Sequence, residues 1–304
     1  SIYYEVDLVD LLGRGDAGAM RYFTLFFRQA AFRADARGRV FLDDALAASN
    51  AYAVALEEDL EENVYRALEQ LMQGFLDLPA NRLGADDLRQ IYDNSLYLLY
   101  RLLFILYGES RGLLPMDNER YRKQYSLQAI EREIVDGRAP TASLTTVVWG
   151  QLKTLFHIIN GDDAALNRSL GVPRYNGGLF DPQQHPFLEE KQVGDRALGQ
   201  AIDLLSRRTT GAGREFADYR SLGVRHLGSI YEGLLEYRPR IAREPMVAVG
   251  GEWLPENRPL GSSETLKVSG MIERRNAGQV YLETDRGERK ATGSYYTPQY
   301  IVEY

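Results

Sequence analysis

Between Ser95 and Gly108 the chain reads Leu-Tyr-Leu-Leu-Tyr-Arg-Leu-Leu-Phe-Ile-Leu-Tyr, twelve residues broken only by Arg101. Twelve residues fall short of the roughly 20 needed to span a bilayer. The run therefore predicts a buried helix. Its frame extends from about 85 or 86 through Arg111. Gly112 is placed as a left-handed stop, and Pro115 follows it.

Other segments share this helical period. Leu56, Leu60, Val64, Leu68, Leu71 and Phe75 fall three or four apart, which lines one stripe of a long helix from Asp43 or Asp44 to about Phe75. Glu57, Glu58, Asp59, Glu61 and Glu62 lie largely off that stripe and read as a wet face. Residues 15–32 look helical, with Phe23, Phe26 and Phe27 on an apolar side. Val40 to Leu42 looks like a short strand. Further helices are expected at about 118–136, 141–160, 196–208 and 216–236. The loop from Arg174 to Phe187 is rich in Asn, Gly and Pro. Beyond Tyr237, Pro239, Pro245, Pro255 and Pro259 break the chain, and short β-like pieces appear at 246–249, 266–272 and 279–283. Asp285-Arg286-Gly287 looks like a hairpin turn. The expected fold is mainly α, a helical bundle with a small β-containing C-terminal segment. The expected parts are residues 1–237, 238–290 and 291–304.

The bulk numbers fit a soluble globular protein. The 304 residues are 44% hydrophobic and 26% charged, and length alone suggests about two domains. Cysteine is absent, which excludes disulfides, thiolate metal sites and cysteine nucleophiles and fits a reducing, cytoplasmic setting. The N-terminus shows no basic region followed by an apolar run and no initiator Met, so the chain is expected to be a core cut at both ends. Net charge is −7, unlike a dedicated nucleic-acid wrapper. The charge is uneven, however. Over residues 207–243 eight arginines face four acids. Arg207, Arg208, Arg238 and Arg240 are candidates for contact with a DNA backbone; an ordinary solvated surface is the alternative.

Catalytic motifs are missing. There is no GxxxxGK[ST], no GxGxxG after a strand, no GxSxG and no HExxH. His157, His185 and His226 are isolated in sequence, so no metal site is expected.

The closing stretch, KATGSYYTPQYIVEY, resembles the segment that opens the methyltransferase domain of large amino-methylating adenine DNA methyltransferases. It is most similar to the type IIG restriction–modification enzymes, in which endonuclease and methylase share one polypeptide. Phage-exclusion methylases come second. LYLLYRLLFILYGESRGLLP (96–115), YNGGLF (175–180) and LGVRHLGSIYEGLLEY (222–237) resemble the helical connector of the same proteins, in the same order.

The resemblance implies that Tyr295, Tyr296, Thr297 and Pro298 form one wall of an S-adenosyl-L-methionine pocket. Thr suits an N-cap and Pro the first helical position, and a helix N-terminus suits the cofactor's carboxylate. It also implies that the chain stops where the methyltransferase domain begins, before the glycine-rich loop and the Asn-Pro-Pro-aromatic motif. The family's nuclease centre is not found either, and Asp43-Asp44 has no Glu-x-Lys at useful spacing.

The expected role is a helical spacer between nuclease and methyltransferase domains. The parent protein would methylate adenine N6 in double-stranded DNA and use Mg2+ if the nuclease is present. The chain alone would have no catalytic residue, no bound cofactor and no membrane partner. Two alternatives stand beside it. One is a stand-alone helical protein-interaction module with no DNA role, which the pI of 5.2 favours. The other is a small-molecule enzyme built around residues 174–187, with Asp181 and His185 as its titratable pair.

Overall fold

Helix follows helix along most of the chain, and among the described residues the named strands all lie after residue 206. The computed structural model describes residues 6, 8–15, 17–175, 177–210, 213–249, 252–257 and 273–284. The chain divides into two compact units, Ser1–Leu56 and Glu57–Tyr304.

The first unit holds α1 (Leu8–Arg14) and α2 (Ala17–Phe27) and the start of α3 (Phe41–Leu76). Within it Phe23 stacks on Phe27 at 5.1 Å and Phe26 tilts against Phe41 at 5.7 Å. Val40 to Leu42 is not a strand: Val40 forms one isolated bridge to Ala34, and Phe41 already opens α3. The local reason is Asp35. Its Oδ1 accepts the N–H groups of Arg37 and Arg39, which closes a turn directly before the helix.

In the second unit the expected stripe of α3 is buried at Leu60, Val64, Leu68, Leu71 and Phe75. Then come α4 (Leu88–Ser110), α5 (Glu119–Gln124), α6 (Leu127–Val135), α7 (Val147–Asn160), α8 (Ala164–Leu170), α9 (Pro186–Glu190), α10 (Asp195–Ser206) and α11 (Val224–Leu234). Helix α4 contains the apolar run, buried on most sides. Gly112 ends it at φ +68°, and the N–H groups of Leu113 and Leu114 turn back to the Gly108 carbonyl.

The span expected as one helix at 118–136 is two. Asn118 caps α5 by accepting from the N–H groups of Arg120 and Tyr121, and Ser126 caps α6 by accepting from Ala129. Helix α7 starts at Val147 because Asp195, in the first turn of α10, accepts the N–H groups of Val147 and Val148. Helix α8 has no counterpart among the expected elements.

Strands β1 (Arg207–Thr210) and β2 (Gly213–Phe216) form an antiparallel pair. Strand β3 (Tyr237–Ile241) is followed by β4 (Met246–Val249), β5 (Glu252–Pro255), β6 (Arg274–Arg275) and β7 (Val280–Thr284). Strand β4 sits between β5 and β6, and β3 pairs with β7 so that Pro239 faces Leu282. Helix α3 engages the edge of β7 directly. Glu69 Oε1 accepts the Leu282 N–H at 2.9 Å and Gln73 Oε1 accepts the Val280 N–H at 2.8 Å, so backbone donors left by the two-stranded pair are satisfied by side chains. The protein is mainly α with a small β segment. The expected pieces at 266–272 and the turn at 285–287 lie outside the described residues. Among the described residues no helix is long and apolar enough to cross a membrane.

Candidate functional site

Arg101 is 1% exposed within the apolar run. Burial pushes its guanidinium down to about 10, with the Glu189 charge opposing. Its Nε donates to the Leu179 carbonyl at 2.8 Å, and the guanidinium lies 5.0 Å from the Phe156 ring centre and 5.6 Å from that of Phe180. A cation inside an apolar helix is held by a backbone acceptor and two ring faces rather than by a carboxylate.

Around it three separate stretches of chain meet. Phe104 packs edge-on to Tyr175 at 5.3 Å and to Phe180 at 5.4 Å. The Tyr175 hydroxyl donates to the Leu113 carbonyl at 2.7 Å. From the other side Tyr100 meets Tyr231 at 5.0 Å, and Arg111 Nη2 donates to the Leu222 carbonyl at 3.3 Å. One turn before the apolar run, Tyr92 donates to the Leu234 carbonyl at 2.6 Å. Burial pushes the Tyr92 phenol up to about 12, so it remains a donor at neutral pH. The blocks at 96–115, 175–180 and 222–237 thus form one junction, with α4 as its axis.

The candidate DNA-facing arginines sit on two strands. Arg207 on β1 and Arg214 on β2 both pair with Asp203 of α10. Arg208 meets Asp59 of α3 at 3.4 Å, with its side chain only 11% exposed. On β3 the two-residue period places Arg238 and Arg240 on one exposed face. Arg240 pairs with Glu283 of β7 at 3.0 Å, half-exposed on both sides. The structure therefore brings Arg238 and Arg240 together on the surface and half-buries Arg207 and Arg208 elsewhere. Tyr295, Tyr296, Thr297 and Pro298 lie outside the described residues.

The 174–187 loop uses its polar residues on itself. Asp181 accepts from the Gln183 N–H at 2.9 Å and the Gln184 amide at 3.1 Å. His185 is buried, which lowers its pKa, and its Nε2 bonds to the Gly178 carbonyl at 3.0 Å. His157, isolated in sequence, is flanked in space by Asp162 on Nδ1 at 2.5 Å and Glu189 on Nε2 at 3.5 Å, and Lys153 also reaches Glu189 at 2.7 Å. Asp43 and Asp44 lie in the first turn of α3, where a helix N-terminus favours acids.

Sequence reasoning did not single out Glu109 or Glu131, both buried. Glu109 sits at the end of the apolar run, and its position inside an otherwise apolar face was the available signal. Comparison with protein-family models, with curated proteins and with solved structures finds no match to this chain.

Proposed function

We propose that the chain is the helical spacer of an amino-methylating adenine-N6 DNA methyltransferase, in the form fused to an endonuclease or in the related phage-exclusion form. One observation supports this reading above others. The three blocks that resemble the connector of those proteins are far apart in sequence, yet the second and third both pack on the first, through Arg101–Leu179, Tyr100–Tyr231 and Arg111–Leu222.

In this reading the junction around α4 is a rigid strut that holds the nuclease and methyltransferase domains apart. Arg238 and Arg240 offer the duplex an exposed pair of phosphate contacts. Tyr295, Tyr296, Thr297 and Pro298 line the S-adenosyl-L-methionine pocket, and Mg2+ serves the nuclease. The target adenine leaves the base stack before its N6 is methylated.

The full-length product of the gene, incubated with duplex DNA and methyl-tritiated S-adenosyl-L-methionine, should place label on adenine N6. Absence of label on every DNA tried, with a folded protein, overturns the assignment. For the present chain, anisotropy with a fluorescent duplex should show weak binding that falls steeply with salt. Replacing Arg238 and Arg240 with Glu should weaken it and flatten the salt slope by about 2, roughly one per phosphate contact.

A second reading, a helical protein-interaction module, is favoured by the carboxylate partners of Arg207, Arg208 and Arg240. These neutralise much of the local positive charge. Lack of DNA binding even at low salt selects it.

A further inference from the structure

Where the end of α4 meets α6 and the end of α10, there is a cavity of about 140 Å3. Leu106, Glu109, Gln128, Glu131, Ser206 and Tyr219 are among the residues that line it. Two of its polar atoms are buried without any hydrogen-bond partner: Glu131 Oε1 and Ser206 Oγ. Their residues are 5% and 3% exposed. Buried acceptors are ordinarily satisfied, and each exception needs a cause.

Glu109 is already occupied. Its Oε1 accepts the Leu127 N–H at 2.7 Å and the Tyr121 hydroxyl at 3.0 Å, and its Oε2 accepts the Gln128 N–H at 3.0 Å. Three of the roughly four acceptor positions of its carboxyl are thus used. The Tyr219 hydroxyl donates to the Leu205 carbonyl at 2.7 Å, so its proton is already committed. The cationic member of the lining is Arg132, whose side chain is exposed.

We infer that this cavity binds the cationic N–H group of a small organic molecule, a guanidinium or a primary ammonium, with Glu131 and Ser206 as its acceptors. The lining disfavours anions, apolar molecules and metal ions. No buried cation is present to hold an anion, since Arg132 is exposed, and an apolar ligand leaves both orphaned oxygens unsatisfied. A divalent metal ion demands several free oxygen ligands, whereas the oxygens of Glu109 are mostly taken, and among the described residues no three His, Asp or Glu are grouped to hold one. The space exceeds that of a single water several-fold.

Electrostatics agree. Burial raises the Glu131 carboxyl well above its ordinary range, Glu109 adds to that, and Arg132 opposes it. A cation seated between them opposes both effects and favours the ionised form of Glu131, so binding is coupled to proton release.

Titration calorimetry on the unaltered chain tests this with methylguanidinium, methylammonium and, as a cation without N–H donors, tetramethylammonium, all at constant ionic strength. The first two should bind in the millimolar range or tighter. Tetramethylammonium should not, and the heat should change with the ionisation enthalpy of the buffer. Glu131→Gln should weaken binding at least tenfold and Ser206→Ala several-fold. A blocked Gly-Arg-Gly peptide distinguishes the source: if it binds, the cavity takes an arginine side chain, and if only the free cations bind, it takes a small metabolite. No binding of either N–H cation at roughly 50 mM overturns the inference and leaves the cavity to water. Equal affinity for tetramethylammonium, or unchanged affinity in Glu131→Gln, also overturns it. Should Glu131→Gln fail to fold, the tetramethylammonium contrast and Ser206→Ala decide.

Discussion

Glu109, in the last turn of α4, accepts the Leu127 N–H at the first turn of α6 at 2.7 Å. One carboxylate thus ends the apolar run and begins the next buried helix. It also takes the Gln128 N–H and the Tyr121 hydroxyl. Glu109→Ala removes the acceptor for all three donors and leaves a void. The expected loss is about 2–4 kcal/mol, from unsatisfied buried donors and a lost helix cap. Urea denaturation followed by circular dichroism measures it, and a loss under about 0.5 kcal/mol would show that water replaces the carboxylate freely.

Burial pushes Glu109 up to about 7, against hydrogen bonds that pull it down, and also raises Glu131 well above its ordinary range. Both folded values exceed the unfolded value of 4.5. The folded state therefore holds protons that the unfolded chain releases. The stability these groups contribute is complete below about pH 4.5 and is lost as pH rises through their folded values. For Glu109 the loss amounts to about 3 kcal/mol at most. Glu131→Gln cannot ionise, so its stability relative to the unaltered chain should improve steadily from pH 5 to pH 8. Thermal melts across that range give the difference. A difference that stays flat with pH would mean that Glu131 is hydrated rather than desolvated.

Gly194 and Gly74 are close-approach glycines of different kinds. A Cβ on Gly194 would fall on the Ser143 carbonyl oxygen, whereas one on Gly74 would meet the side chains of Val193 at 2.5 Å and Ala197 at 2.6 Å. Neither the Ser143 oxygen nor the Ala197 Cβ can rotate away, but the approach to the Ser143 oxygen is the closer. Gly194→Ala should therefore be the more damaging, by about 3 kcal/mol or more, because it also displaces Asp195, which caps α7. Gly74→Ala gains about 1 kcal/mol of helix propensity and should cost less overall. Denaturant midpoints that reverse this order would show that the 143–145 segment moves readily.

Arg101 is held without a carboxylate partner within hydrogen-bond reach, and its Nη2 has no hydrogen-bond partner. Arg101→Met keeps the length and removes the desolvated charge, so it should stay within about 1.5 kcal/mol of the unaltered chain. Arg101→Ala leaves a cavity between Phe156 and Phe180 and should cost about 3–4 kcal/mol. Equal costs for the two would assign the effect to the Leu179 hydrogen bond alone.

The long helices were legible because their signals are local. The stripe from Leu56 to Phe75 repeats every three or four residues, and Gly112 marks the end of α4 by a backbone conformation that glycine adopts readily. Strand β4 was legible at 246–249 from its β-branched and apolar residues. Strands β1 and β2, Arg-Arg-Thr-Thr and Gly-Arg-Glu-Phe, were not: they are short, polar and without alternation. The division of 118–136 was missed because Ser126, an N-cap, sits where a continuous helix also tolerates serine.

The candidate arginines show the same boundary. Their clustering was visible in the order of residues. That Arg207 and Arg208 spend their charge on Asp203 and Asp59, while Arg238 and Arg240 share an exposed strand face, was not.

Residue order by itself determined which stretches coil, which faces turn inward and where α4 stops, since period and backbone preference act within about one helical turn. Tertiary structure alone decided that Asp195 starts α7 from 47 positions away, that Glu109 and Glu131 border one cavity, and that two remote blocks dock on α4. Those partnerships depend on which acceptor the folded chain delivers to a buried donor, and no local pattern encodes that choice.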